Sequence, residues 1–265
     1  MNYAIFLGCK IPAMVPAYED STRAVLGKLK VGLQDLPFTC CGYPTRSLDL
    51  DASVVAAAHN LALAKQAGLA ILTPCKCCFG QLRHAQRFLE EYPELAERVS
   101  AFLQHEGLPF PNGVKVDHLL TVLSKEVGLE AIRSHVTAPR TGLKVAAHYG
   151  CHALRPSAVT GFDNPMAPTI FEDLVAVTGA TPVIWPRRID CCGEPVSASN
   201  PDLSERIARG KITSALESGS ELLVTACPYC HMRFEELAKD MGLPLMLYPQ
   251  LLGQALGIPD KALGL

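Results

Sequence analysis

Short apolar runs alternate along the chain with longer stretches in which apolar residues recur at three- and four-residue spacing. YAIFLG from Tyr3, LAILT from Leu69, KVAAHYG from Lys144 and ELLVTA from Glu221 have the length and composition of buried parallel strands. Ser53 to Gln66, Cys78 to Tyr92, Leu203 to Leu216 and Tyr229 to Met241 have the spacing of amphipathic helices, the second stopped by Pro93. The resulting βαβα order predicts an α/β fold, with parallel sheets covered by helices on both faces. Ligands of such sheets gather beyond the carboxyl ends of the strands.

The pattern occurs twice. Gly8-Cys9, Cys40-Cys41-Gly42 and Cys75-x-x-Cys78 reappear as Gly150-Cys151, Cys191-Cys192-Gly193 and Cys227-x-x-Cys230. The offset is 142 residues at the first cysteine, 151 at the pair and 152 at both members of Cys-x-x-Cys. Each series is followed by a further strand-and-helix signal, VKVDHLLTVLSKEVG from Val114 and LMLYPQLLGQALG from Leu245. These signals predict two duplicated βαβα halves, 1–140 and 141–265, divided where Pro139 and Gly142 punctuate the chain. Cys9, Cys75, Cys151 and Cys227 all follow a strand, which puts the chemistry at the carboxyl ends of the sheets.

Composition narrows the function. A hydrophobic share of 49% over 265 residues supports a packed core without disulfide staples. A formal net charge of -2 with no basic block gives no reason to expect nucleic acid or anionic lipid as partner. The N-terminus reads as a buried strand rather than a leader, and every apolar stretch is broken too early to span a membrane, as by Lys65 and Gln66. A cytoplasmic protein is expected. Its eleven cysteines then point to metal ligation, because the cytosolic thiol pool keeps structural disulfides reduced.

Each half brings five cysteines from three strand ends, whereas zinc sites and ordinary iron–sulfur cubanes use four protein ligands. Either one thiol of each Cys-Cys pair is a bystander, or a cluster is bound in which both neighbours take part. Adjacent side chains of an extended chain point to opposite faces, so the second option needs a kink. Gly42 and Gly193, directly after the pairs, can supply it.

The spacing Cys, Cys-Cys-Gly, Cys-x-x-Cys, present twice, resembles the cysteine-rich CCG domain of the heterodisulfide reductase B subunits, a family that extends to related proteins of sulfur oxidisers. His148-Tyr149-Gly150-Cys151-His152 and Cys227-Pro228-Tyr229-Cys230-His231 look like that family's second half. The resemblance implies two noncubane 4Fe-4S clusters. Their implied ligands are Cys9, Cys40, Cys41, Cys75 and Cys78 in the first half, and Cys151, Cys191, Cys192, Cys227 and Cys230 in the second. It also implies thiol/disulfide oxidoreductase chemistry, a small disulfide or thiol substrate, and two partners, a ferredoxin-like iron–sulfur subunit and a flavin-bearing subunit. Absence of a Gly-x-Gly-x-x-Gly or Walker segment fits electrons arriving from such partners.

His148, His152 and His231 are the candidate proton donors, with hydrogen bonding to cluster sulfur as their blander role. Lys10 and Lys76 stand beside cysteines and are candidates for offsetting negative charge, while Arg155, Arg187 and Arg188 read as solvated surface. Cys77, whose counterpart is Tyr229, is read as a structural or spectator thiol. Three other functions compete: a non-catalytic electron relay of a larger succinate, lactate or glycolate dehydrogenase, a zinc-binding structural protein, and a thioredoxin-like dithiol at either Cys-x-x-Cys.

Overall fold

The computed structural model describes residues 1–265 and contains two four-stranded, all-parallel sheets. The first consists of β1 (Asn2–Ile5), β2 (Gly32–Gln34), β3 (Ala70–Thr73) and β4 (Val116–His118), in the order β2-β1-β3-β4. The second repeats that order with β5 (Lys144–His148), β6 (Thr181–Val183), β7 (Leu222–Thr225) and β8 (Leu245–Leu247), as β6-β5-β7-β8. The expected α/β duplication is therefore present. Register is parallel throughout, with Ala4 beside Ile71 in one sheet and Ala146 beside Leu223 in the other.

The four helices expected from periodicity form within a few residues of their predicted ends. In chain order the main helices are α1 (Pro16–Lys28), α2 (Leu50–Gln66), α3 (Lys76–Glu91), α4 (Pro93–His105), α5 (Ile170–Val177), α6 (Pro201–Glu217), α7 (Pro228–Asp240) and α8 (Tyr248–Ala255). Asp49 caps α2 by accepting a bond from Ala52 N at 2.9 Å, and Asn200 caps α6 in the same way at Leu203 N, 3.0 Å. None of the helices is long and apolar enough to cross a membrane.

The halves exchange their last helices. Residues 119–135, which follow β4, pack on α5 of the second half, while α8, which follows β8, packs on α1 of the first. The connecting segment is held on both sides, with Thr137 N and Ala138 N donating to Ala255 O and Arg140 N donating to Thr178 O. One contiguous cluster of 66 buried residues consequently runs through both halves, so the two sheets share a core rather than each having its own.

Candidate metal centre

In each sheet the chain leaves the two central strands in opposite directions, which opens a crevice at their carboxyl ends. Cys9 and Cys75 follow β1 and β3 there, and Cys151 and Cys227 follow β5 and β7. The outer strands β2 and β6 lead into Cys40-Cys41 and Cys191-Cys192. All eleven cysteines are free.

Their thiols form one unbroken series. Cys9 Sγ lies 3.8 Å from Cys40 Sγ, Cys40 neighbours Cys41, Cys41 neighbours Cys78, and Cys78 neighbours Cys75. In the second half Cys151 neighbours Cys191, followed by Cys192, Cys230 and Cys227. Cys75 meets Cys227 where the halves join, and Cys77 meets both.

The kink expected after each Cys-Cys pair is there. Gly42 has φ +83° and Gly193 φ +94°, and a Cβ on either would lie 2.5 Å from Ser53 O or 2.7 Å from Ser204 O. This tight turn against the start of α2 or α6 brings Cys41 and Cys192 inward, toward Cys78 and Cys230, while Cys40 and Cys191 stay beside Cys9 and Cys151.

Two buried residues hold the loops ahead of the pairs. Asn60 on α2 accepts from Thr39 N at 2.8 Å and donates to Cys40 O at 3.1 Å. Lys211 on α6 stands at the same 151-residue offset as the cysteine pairs and donates to Asp190 O at 3.1 Å and to Arg187 O, its Nζ 4.8 Å from the Trp185 ring centre. The repeat register marks these two as equivalent, but their differing chemistry hides the relation in the sequence. Burial lowers the Lys211 pKa to about 8. Lys211→Met strips two carbonyls of their donor, and a loss of about 2–3 kcal/mol in unfolding free energy is expected from urea titration.

The crevice favours anionic sulfur. Helices α3 and α7 start directly after Cys75 and Cys227, so their positive ends face the thiols, and Cys78 N donates to Cys75 Sγ at 3.4 Å. Gly193 N donates to Cys191 Sγ, also at 3.4 Å. Hydrogen bonds from Cys151 and then Cys192 hold Cys191 down to about 2, while Cys192 is pushed up to about 12 chiefly by Cys191. So dense a set of soft donors cannot ionise fully without shared cations, and it suits thiophilic metal. His148 adds a second sign of fit. Both its ring nitrogens are buried without a partner, and one lies within 4.8 Å of Cys192 and Cys230 Sγ.

The three candidate histidines separate. His148 is enclosed, edge-on to Phe234 at 5.0 Å between ring centres, and burial lowers its pKa. His231 pairs through Nδ1 with Thr225 Oγ1 at 3.2 Å, has its pKa lowered by burial to about 4, and borders a groove with Glu235 and Lys239. His152 lines the cavity between the halves. Its Nδ1 is 3.5 Å from Cys77 Sγ and 3.8 Å from Cys151 Sγ, and its Nε2 is 3.2 Å from Tyr43 Oη.

The cations separate too. Lys76 is 1% exposed, lines the same cavity, and donates to His148 O at 3.1 Å. Burial lowers its pKa to about 8 against the opposing pull of neighbouring thiolates. Lys10 Nζ sits 5.7 Å from the Tyr229 ring centre. Arg155 is exposed as expected, whereas Arg187 pairs with Asp190 at 3.0 Å and Arg188 with buried Glu172 at 3.1 Å. Arg188 departs from the solvated-surface reading because Tyr149, at the end of β5, donates to Glu172 and fixes that carboxylate inside.

Comparison with known proteins agrees with this geometry. The profile of the cysteine-rich (CCG) domain matches residues 3–83 and again 145–235, one match per sheet. The chain is 34% identical to the B subunit of the ferredoxin/F(420)H(2)-dependent CoB-CoM heterodisulfide reductase of Methanosarcina acetivorans, over 99% of this chain and 91% of the relative. It is 33% identical to the 8-methylmenaquinol:fumarate reductase membrane anchor subunit of Wolinella succinogenes, over 100% and 94%. A hypothetical protein of Helicobacter pylori shares the fold at a TM-score of 0.77 and 18% identity, over 100% of this chain and 51% of the other. Two CCG matches on two equivalent sheets, with near-full-length similarity, place the chain in the CCG cysteine-rich domain family of the heterodisulfide reductase B subunits.

Proposed function

We propose that this chain is the iron–sulfur subunit of an oxidoreductase complex, which reduces a disulfide or, in reverse, oxidises thiols at two noncubane 4Fe-4S clusters. The observation that carries the proposal is the continuous thiol series, which gathers five cysteines in each half and joins the two groups at Cys75 and Cys227. Cys9, Cys40, Cys41, Cys75 and Cys78 would hold one cluster, and Cys151, Cys191, Cys192, Cys227 and Cys230 the other. The repeat units are proposed as 1–140 and 141–265, supported by one complete sheet in each.

When bound, a cluster supplies one-electron chemistry at its irons, and two facing one cleft match the two electrons of a disulfide. The chain's own residues set the stage. Gly42 and Gly193 let both thiols of each pair serve one site, and Asn60 and Lys211 lock the loops that carry them. Tyr43 and Tyr229, 5.8 Å apart between ring centres, wall the cavity. His152 Nδ1 is the nitrogen placed to hold a proton for a thiol in that cavity, which makes it the preferred donor over His148 and His231. The buried Lys76 ammonium offsets negative charge on the second-half thiolates.

Electrons are proposed to come from a ferredoxin-like iron–sulfur subunit and a flavin-bearing subunit, in the cytoplasm. The relative named as a subunit of a fumarate reductase supports a second reading, in which the chain only relays electrons within a larger complex. The test is iron, acid-labile sulfide and zinc per chain after anaerobic purification. About eight iron and eight sulfide are expected for two four-iron clusters, and a thiol-induced change in the EPR spectrum would favour disulfide chemistry over the relay. Zinc with little iron would overturn both readings.

A further inference from the structure

We infer that Cys77 is a sixth thiolate ligand of the second half's site, contributed across the cleft by the first half. The inference rests on the proposed function and adds to it a residue outside both sets of five. Cys77 lies within the first half's Cys-x-x-Cys, yet it stands two positions after the cap of α3, turned about 100° from its neighbour Cys78. The two thiols therefore meet different neighbours. Cys78 Sγ packs against Gly8 and Cys41 of the first half. Cys77 Sγ meets Cys227 and lies 3.5 Å from His152 Nδ1, both in the second half.

The same crossing occurs in reverse. Tyr229, the counterpart of Cys77, sits against Tyr43 and beneath Lys10 of the first half. At this position each half sends one side chain over the other's site, and in one direction the side chain is an aromatic ring that only covers. In the other it is a thiol, 5% exposed, with its Sγ and those of Cys75 and Cys227 all within 4.8 Å of one another. The two sites are consequently unlike: the second is given six thiols and the first five under an aromatic cover.

The test uses the intact chain, purified anaerobically, with Cys9→Ser and Cys40→Ser introduced to disable the first site so that the remaining iron signal belongs to the second. Into this background Cys77→Ser and Cys77→Ala are added, with far-ultraviolet circular dichroism to check folding. The expected result is a shift in the Mössbauer isomer shift or EPR g values, different for serine, whose oxygen can still ligate, and for alanine, which cannot. Folded Cys77 variants with spectra that superimpose on the parent would overturn the inference while leaving the proposed function intact. A wild-type chain without iron would instead remove the proposed function, and the inference with it.

Discussion

Gly42→Ala is expected to lower unfolding free energy by about 3 kcal/mol or more and to release the metal of the first site. The alanine would have to adopt φ +83°, which costs roughly 1–2 kcal/mol for a residue with a Cβ. Its methyl would also lie 2.5 Å from Ser53 O and 2.9 Å from Ser53 Cα, backbone atoms that cannot retreat without moving α2. The turn then opens, and Cys40 and Cys41 can no longer be presented together. Gly193→Ala should do the same in the second half, where Ser204 O is 2.7 Å and Ile207 Cβ 3.3 Å away. Gly27→Ala is the control. It lies inside α1 with nothing within 4 Å of the added methyl, so it should leave stability unchanged or raise it by up to about 1 kcal/mol. Urea unfolding of the three variants, with iron measured on each, tests the argument. A Gly42→Ala chain as stable and as iron-rich as the Gly27→Ala control would rule out the turn as the device that aims both thiols.

The central strands are legible in the sequence because their residues are buried on both faces, which leaves continuous apolar runs such as AILT in β3 and LLVT in β7. The edge strands β4 and β8 are legible too, but the opposite edges are not. β2 and β6 are three residues each, GLQ and TPV, too short and too polar to stand out, and Pro182 within β6 is tolerated only because that strand lies at a sheet edge. Helix α1 is hidden as well, since its sequence PAYEDSTRAVLGK mixes buried Ser21 and Thr22 with Tyr18 and Val25 and so blurs the apolar stripe. The ten repeated cysteines can be read because spacing alone marks them. Spacing does not say which way a helical side chain turns at a joint between halves, and that direction separates Cys77 from Cys78. The exchange of α8 and residues 119–135 between halves is likewise invisible, because it depends on packing between segments far apart in the chain.

Acid should destabilise the fold steeply, and His118 is one of the buried histidines expected to carry the loss. It ends β4 fully buried, with Nε2 donating to Pro74 O at 3.1 Å and Nδ1 accepting from Leu120 N at 3.1 Å. Tyr18 donates to the same carbonyl at 2.7 Å, so the residue just before Cys75 is clamped from two sides. This arrangement uses one donor and one acceptor of a neutral imidazole. Protonation would put a hydrogen on Nδ1 against an amide that needs an acceptor. Burial, aided by the nearby Lys76 charge, lowers the His118 pKa to about 3, against an ordinary value near 6.5. Between those two values the unfolded chain binds the proton and the folded chain does not. Stability is therefore full above pH 6.5 and is lost as pH falls toward 3, by on the order of 3 kcal/mol at pH 4. His231, whose pKa burial lowers to about 4, and His148 and His152, which burial also lowers, add in the same direction. Urea midpoints at about pH 7.5, 6, 5 and 4 should fall progressively for the wild type. In His118→Gln the neutral-pH midpoint should start lower, by about 1–2 kcal/mol for the lost bonds, and then decline less steeply. An unchanged slope in that variant would assign the acid sensitivity to groups other than the clamp on Pro74.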